Sequence, residues 1–237
     1  MTSARFGLPH RHLRIIDSTN ERARELAETG APGGLIVTAD EQVAGRGRHG
    51  RVWSAPRGKA LLYSAVLRPL DERHSLLPLA VPLAVCEAVE AVAGVSCRIK
   101  WPNDVWIEER KVAGVLLEAR PPDWAVIGVG VNVAIAADEF PDDLRWPATS
   151  VGGGATVKGV RDALNDALSG HVARPPDQTL DGFRDRDALL GREIGWAGAG
   201  EGSGVARGVD ERGNLLVETA DGELALGSGE VTLEVRA

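Results

Sequence analysis

Four apolar segments joined by short turns constrain the fold of this chain more than any other feature. They predict successive strands at residues 98–101, 104–108, 112–118 and 124–133, and Glu109-Arg110 has the polar character of a hairpin tip. A strand that returns after a short turn lies antiparallel to its predecessor. The centre of the chain therefore predicts a mixed or antiparallel sheet.

Further strands and helices are predicted around this centre. Strands are expected at residues 12–16, 35–39 and 60–67, and apolar residues at helical spacing predict helices at 75–92, 157–172 and 179–190. An earlier helix is predicted to end near Glu28. Its start is marked by Ser18 and Glu21, which have the spacing of a capping box. The fold class is thus α+β, a mixed or antiparallel sheet with flanking helices.

The composition changes after Leu190. Short β segments separated by Gly, Asp and Asn are predicted at 192–196, 204–209, 215–219, 222–226 and 231–235. They predict a small C-terminal β-barrel over residues 191–237, next to a larger domain over residues 1–190. Because so small a unit buries little surface, we expect it to pack on the larger domain.

Composition excludes several classes of protein. The net charge of −7 argues against a general nucleic-acid binder, and we find neither a secretory signal in residues 1–12 nor an apolar run near the roughly 20 residues of a membrane helix. Cys86 and Cys97 are the only two cysteines, too few for a disulfide framework, which predicts buried thiols in a cytoplasmic protein. The scattered histidines predict no protein-held structural metal.

Residues 45–53 alternate arginine with glycine. Between Gln42 and Leu70 there is no acid, although the whole chain is acidic. The basic residues in that window are Arg46, Arg48, Arg51, Arg57, Lys59 and Arg68. Arginine is a permanently charged, forked donor, and glycine lets backbone N–H groups approach a ligand, so the pattern predicts a loop that wraps an anion such as a nucleotide phosphate. The alternative is a flexible basic surface loop.

Other motifs contain candidate site residues, but each motif taken alone is weaker evidence for a binding site. Ser18, Thr19 and Asn20 begin a helix, where capping is the alternative role. Gln42 ends a strand and suits either a pocket or a solvated loop. The string Lys100-Trp101-Pro102-Asn103-Asp104 describes a turn, and Lys111 on the next strand can face back toward Asp104. The string 128–132, GVGVN, lacks the third glycine of a nucleotide fingerprint.

Together and in this order, these strings resemble the biotin protein ligases. The resemblance covers nearly the whole chain, including the C-terminal β unit. It implies a class II synthetase-like catalytic domain, an SH3-like C-terminal barrel and a reaction in two steps. In that reaction biotin and ATP give biotinyl-5′-AMP, and biotin then passes to one lysine of a biotin carboxyl carrier domain.

The resemblance also implies roles for individual residues. Lys111, Arg48 and Asp104 are expected to be catalytic. The expected biotin contacts are Ser18, Thr19, Asn20, Gln42, Arg46, Gly47, Arg48, Lys111 and Gly114. The expected ATP and adenylate contacts are Arg46, Arg48, Arg51, Trp53, Asn103, Lys111 and Asn132. Trp53 and the strand at 112–117 are expected to wall the ring and aliphatic tail of biotin.

Cofactors and partners follow from the same resemblance. ATP and biotin are expected as substrates with Mg²⁺, and the carrier domain of a biotin-dependent carboxylase is expected as partner. Many relatives carry an N-terminal DNA-binding domain, for which the first strand near His12 leaves no room, so neither DNA nor membrane binding is expected. The sequence leaves open whether the protein forms a homodimer. Two alternative functions also remain, a lipoate or octanoate transferase and a non-catalytic biotin-binding module.

Overall fold

The computed structural model describes residues 5–198, 200–227 and 229–233. Seven strands form one sheet in the order β1-β2-β3-β7-β6-β5-β4. Their bounds are β1 His10–Leu13, β2 Ile36–Ala39, β3 Ala60–Leu67, β4 Arg98–Lys100, β5 Asp104–Ile107, β6 Arg110–Arg120 and β7 Trp124–Asn132. Strands β1 and β2 are parallel and the other neighbours are antiparallel, which confirms the predicted mixed sheet.

Four helices flank the sheet: α1 Thr19–Glu28, α2 Leu77–Ala93, α3 Val157–His171 and α4 Pro176–Arg186. Helix α1 packs on one face through Ala23 and Ala27, and the buried residues of α2 and α3 belong to the main core on the other face. Helix α4 begins three residues before the predicted start and ends four residues before the predicted end. Pro176 suits a first helical position, since its missing N–H needs no partner there.

Two local predictions are wrong. Ser18 is the N-cap residue of α1, but its hydroxyl makes no capping hydrogen bond. The hairpin between β5 and β6 turns at Glu108 and Glu109, which both have positive φ, and Arg110 already pairs with Ile107. Positive φ at two successive residues is the geometry of a two-residue hairpin turn.

Helix α2 and the turn before it form a long apolar segment. The segment Glu72–Ala93 is 22 residues long and contains an 18-residue window with a mean hydropathy of 1.8, so by length and composition it could cross a membrane. However, 67% of its apolar window is buried inside the protein, where it packs beside α3. The expectation that no run approaches membrane length is therefore wrong, and the burial is that of a core helix.

The two cysteines lie in this core. Cys86 on α2 and Cys97 before β4 are both free thiols and both buried, as predicted. The hydrogen bond between the Cys86 and Cys97 thiols, together with burial, raises the pKa of Cys86. A thiol with a raised pKa is protonated and unreactive at neutral pH.

The C-terminal residues form a five-stranded antiparallel sheet, the SH3-like unit, in the order β11-β10-β9-β8-β12. Its strands are β8 Glu193–Ala197, β9 Gly202–Val209, β10 Leu215–Thr219, β11 Gly222–Leu226 and β12 Glu230–Leu233. The last predicted strand extended to residue 235, and its end lies outside the described residues. The unit packs on the larger part of the chain: Trp101 Nε1 donates to the Gly213 carbonyl at 3.1 Å, and Arg192 pairs with Glu109 at 2.6 Å.

Candidate active site

The floor of the site comes from the three central strands. Ser64 on β3, Gly128 on β7 and Leu116 on β6 stand side by side, and Leu62, Gly130 and Gly114 form the next row. Side chains alternate along a strand, so these residues share one face while their neighbours pack into the main core. A cavity of about 540 Å³ lies on this face.

The glycines of β7 make room for side chains from other elements. A Cβ at Gly128 would overlap the Asn20 amide, and a Cβ at Gly130 would overlap the Trp53 ring. Gly114 is nearly as restricted, since a Cβ there would lie 3.1 Å from Trp53 and 3.3 Å from Lys111 Nζ. Residues 128–132 lie inside strand β7 and open no helix, so they are not a nucleotide fingerprint, as predicted. The close packing of other side chains on these glycines was not predicted.

One end of the cavity is polar and buried. The Thr19 backbone N–H and hydroxyl both donate to Gln42 Oε1, at 2.7 and 3.0 Å. The Ser64 hydroxyl lies 2.9 Å from both Thr19 Oγ1 and Asn20 Oδ1. Ser18, whose hydroxyl does not cap the helix, lines the same end. This set offers hydrogen-bond donors and acceptors to a small polar ring.

Further along the floor lies an ion pair. Lys111 Nζ is 2.6 Å from Asp104 Oδ1, and the two side chains are 26% and 13% exposed. Asp104, the first residue of β5, pairs with Gly114 across the β5–β6 hairpin, which brings the start of β5 near Lys111, as predicted. Lys111 Nζ also lies 5.7 Å from the centre of the Trp53 ring.

The basic loop, residues 45–53, is folded back on itself. The Gly47 N–H donates to the Arg51 carbonyl at 2.7 Å and the Trp53 N–H to the Gly45 carbonyl at 3.0 Å, while His49 has a φ of 55° at the tip. Arg48 Nη1 donates to Asn103 Oδ1 at 3.4 Å. The loop thus brings its arginines to the wall of the cavity, with Arg48 next to the residue that precedes Asp104.

Arg46 fastens this loop to helix α1. Its Nη1 lies 2.6 Å from Glu21 Oε2. The hydrogen bond from Arg24, together with the nearby charge of Arg46, lowers the pKa of Glu21. Glu21 is therefore ionised at neutral pH, and the attachment persists there.

Residues 140–146, which the sequence did not mark as part of a site, lie at the other end of the cavity. Phe140, Leu144 and Trp146 line it. Lys100 Nζ lies 5.2 Å from the Trp146 ring and 6.0 Å from the Trp106 ring, in the range of cation–π contacts. Asn132 Nδ2 donates to the Thr149 carbonyl at 3.1 Å, which ties the end of β7 to the chain that follows residues 140–146. Apolar and aromatic residues at this end suit the flat face of a base.

Every residue predicted to be catalytic or to contact biotin or ATP lines this one cavity. They are Ser18, Thr19, Asn20, Gln42, Arg46, Gly47, Arg48, Arg51, Trp53, Asn103, Asp104, Lys111, Gly114 and Asn132. The structure therefore brings together residues from four separate parts of the sequence. Their individual roles stay predictions.

No group of three or more His, Cys, Asp or Glu side chains could hold a metal ion in the described part of the chain. The cavity does contain the Asp104 carboxylate next to the Asn103 amide. Mg²⁺ in nucleotide sites is held by one or two carboxylates, water and substrate phosphates rather than by a protein cage. The donor set at Asp104 fits an ion that arrives with a polyphosphate.

Comparison with known proteins agrees with this geometry. The model of the Biotin/lipoate A/B protein ligase family matches residues 12–132, and that of the Biotin protein ligase C terminal domain matches residues 190–233. The chain is 35% identical to the bifunctional ligase/repressor BirA of Bacillus spizizenii, over 92% of the chain and 72% of that protein. It is 36% identical to the biotin–[acetyl-CoA-carboxylase] ligase of Paracoccus denitrificans, over 92% and 98%.

A solved structure shows the same likeness. Biotin protein ligase from Aquifex aeolicus, in complex with biotin and ATP, superposes with a TM-score of 0.84 at 32% identity, over 96% of this chain and 99% of that one. The likeness spans both the seven-stranded and the five-stranded sheet. The chain belongs to the biotin protein ligase family.

Proposed function

We propose that this protein is an ATP-dependent ligase that activates biotin as biotinyl-5′-AMP and transfers it to a lysine of a biotin carboxyl carrier domain. One observation carries the proposal: a single cavity holds a buried polar end, a lysine paired with a carboxylate, and an aromatic end. The named activities of the Paracoccus and Aquifex relatives support the same assignment.

The polar end suits the ureido ring of biotin. A cyclic urea has an acceptor oxygen and two donor N–H groups, and each unpaired polar group would cost roughly 1–3 kcal/mol when buried. Thr19, Asn20, Gln42 and Ser64 supply matched partners there. The apolar part of the ligand lies along Leu116 and the glycine rows toward Lys111.

In the first step an oxygen of the biotin carboxylate attacks the α-phosphorus of ATP. The bond from that phosphorus to the bridging oxygen breaks, and pyrophosphate leaves. Two anions meet, and negative charge grows on the phosphoryl oxygens, so fixed cations stabilise the transition state. Lys111 and Arg48 both line the cavity. Bound Mg²⁺ supplies further positive charge to the polyphosphate.

In the second step the ε-amine of the carrier lysine attacks the biotinyl carbonyl carbon. An amide bond forms, AMP leaves, and the amine gives up a proton. The mixed anhydride is prone to hydrolysis, so we propose that the loop at residues 45–53 closes over it and excludes water.

The remaining assignments belong to the same proposal. The acidic net charge of −7 supports a ligase that does not bind DNA, and the burial of α2 supports one that does not use that helix to span a membrane. Two buried free thiols support a cytoplasmic location. We propose the domain boundary between residues 190 and 191, one residue after the C-terminal family model begins to match at residue 190.

The test combines purified protein, biotin, ATP labelled at the α-phosphate and a carrier domain. Labelled biotinyl-AMP and a biotinylated lysine, identified by mass spectrometry, are expected. Lipoic acid is added in a parallel arm: transfer of lipoate in preference to biotin would show a lipoate transferase instead. Biotin binding without release of pyrophosphate would show a non-catalytic binding module.

A further inference from the structure

Glu118 on β6 joins two parts of the cavity that belong to different elements. Its Oε2 accepts a hydrogen bond from Asn20 Nδ2 at 2.6 Å, and its Oε1 lies 3.7 Å from Arg46 Nη1. The side chain is 27% exposed, so water screens the contact only in part. One carboxylate thus contacts both the polar end and the basic loop.

The contact with Glu118 fixes which way the Asn20 amide points. An ionised carboxylate can only accept hydrogen bonds, so Asn20 must turn its NH₂ group toward Glu118. Asn20 Oδ1 then lies 2.9 Å from the Ser64 hydroxyl, directly against Gly128. A rotation by 180° would bring Asn20 Oδ1 against Glu118, two acceptors without a proton between them.

We propose that Glu118 is a positioning residue for biotin binding, which acts by holding Asn20 as an acceptor for a ureido N–H. The inference rests on the proposed function and deepens it. It explains why the polar end prefers a ring with N–H donors, since the oriented Asn20 presents an acceptor oxygen to that ring. The same carboxylate adds a second anchor for Arg46, beside the contact with Glu21 at 2.6 Å.

The first test is Glu118→Gln, which keeps the shape and removes the charge. A glutamine presents both a donor and an acceptor, so Asn20 is no longer held in one orientation. Hydrogen bonds to charged groups are worth more than neutral ones, so we expect KM for biotin to rise about tenfold. The kcat for adenylate formation and KM for ATP stay within about twofold of wild type, since the lost contact is made in ground and transition states alike.

Glu25→Gln is the matched control. Glu25 lies on helix α1 and pairs with Arg22 at 2.6 Å, away from the cavity. This variant removes one exposed ion pair from the same helix that carries Asn20, and KM for biotin stays at the wild-type value.

A double-mutant cycle tests whether Glu118 acts through Asn20. In an Asn20→Ala background there is no amide to orient, so adding Glu118→Gln raises KM for biotin much less than it does in the wild-type background, by no more than the 3.7 Å contact with Arg46 contributes. A general loss of structure would instead raise KM by the same factor in both backgrounds. Glu118→Asp, which keeps the charge, is the second variant and raises KM less than Glu118→Gln.

Two results overturn the proposal: an unchanged KM for biotin in Glu118→Gln, and an equal rise with and without Asn20. If Glu118→Gln does not fold, as judged by its unfolding transition, the Glu118→Asp cycle with Asn20→Ala decides by the same criteria. Failure of the wild-type protein to form biotinyl-AMP is a different result, since it overturns the proposed function itself.

Discussion

Lys111 Nζ lies 2.6 Å from Asp104 Oδ1, inside the cavity and only partly exposed to solvent. The pair has a physical consequence for ligand binding. A lysine side chain has four rotatable bonds, and an ion pair with a fixed carboxylate restricts where its ammonium can lie. Lys111 is therefore held in place before an anionic ligand arrives, which reduces the entropy lost on binding.

We expect Lys111→Ala to lower the rate of biotinyl-AMP formation about 10²–10³-fold, because it removes a preorganised cation from the developing phosphoryl charge. Arg48→Ala is expected to have an effect on the same scale. The measurement is pyrophosphate release at saturating biotin and ATP.

The control for both variants is Lys158→Ala. Lys158 lies on α3 with a side chain that is 76% exposed and pairs with Asp162, outside the cavity. Its removal leaves the rate unchanged. If Lys111→Ala forms the adenylate as fast as wild type, Lys111 has no role in the chemistry.

Gly130→Ala is expected to raise KM for ATP about tenfold, since the added methyl group overlaps the Trp53 ring and strain of this kind costs roughly 1–3 kcal/mol. Steady-state kinetics at fixed biotin measure the change. Gly170→Ala on α3 is the matched substitution: no atom lies within 4 Å of the added Cβ, so activity is unchanged and the helix gains up to about 1 kcal/mol. Equal KM values in both variants would contradict the role given to Gly130.

Ligands are expected to protect the basic loop from trypsin, which cleaves after Arg46, Arg48 and Arg51. With biotin and ATP bound, the loop contacts the adenylate, and we expect cleavage to slow about tenfold or more, because proteolysis requires a locally open backbone. Cleavage after the exposed Arg212 in the C-terminal unit serves as internal standard. If trypsin cleaves the loop equally fast with and without biotin and ATP, the loop does not close over the ligands.

The sequence predicted local structure well where the pattern is local. Strand β3 and the C-terminal strands β10 and β11 begin and end where the apolar pattern placed them. The bounds of α4 were shifted, because the predicted start overlooked Pro176 as a first helical residue.

Contacts between distant residues were harder to predict. Ser64 is a serine within an apolar strand, and its partner Thr19 lies 45 residues away, so no short window shows the contact. Glu118 and Gly128 likewise gain their importance from Asn20, which the fold brings to them. The motifs shared with the family predicted many of the residues that line the cavity. The residues that shape its floor, such as Ser64 and Gly128, are recognised only from the register of the sheet.

The free energy of unfolding is expected to decrease as the pH is lowered through the range where His171 titrates. His171 is 3% exposed, its Nε2 lies 2.8 Å from Glu87 Oε2, and its Nδ1 has no hydrogen-bond partner among the described residues. Burial lowers the pKa of His171 below its ordinary value of 6.5, against the opposing effect of Glu87. The unfolded chain therefore binds the proton more readily than the folded one.

Protonation accordingly favours unfolding, so the free energy of unfolding decreases as pH falls below 6.5 and levels off below the folded-state pKa. His10 and His74, whose pKa values are also lowered by burial, contribute in the same direction. Urea unfolding between about pH 5 and pH 7.5 measures the slope. His171→Gln removes one titrating group, so its slope is shallower than that of wild type, whatever its absolute stability. Identical slopes for the two proteins would show that His171 titrates alike in the folded and unfolded states.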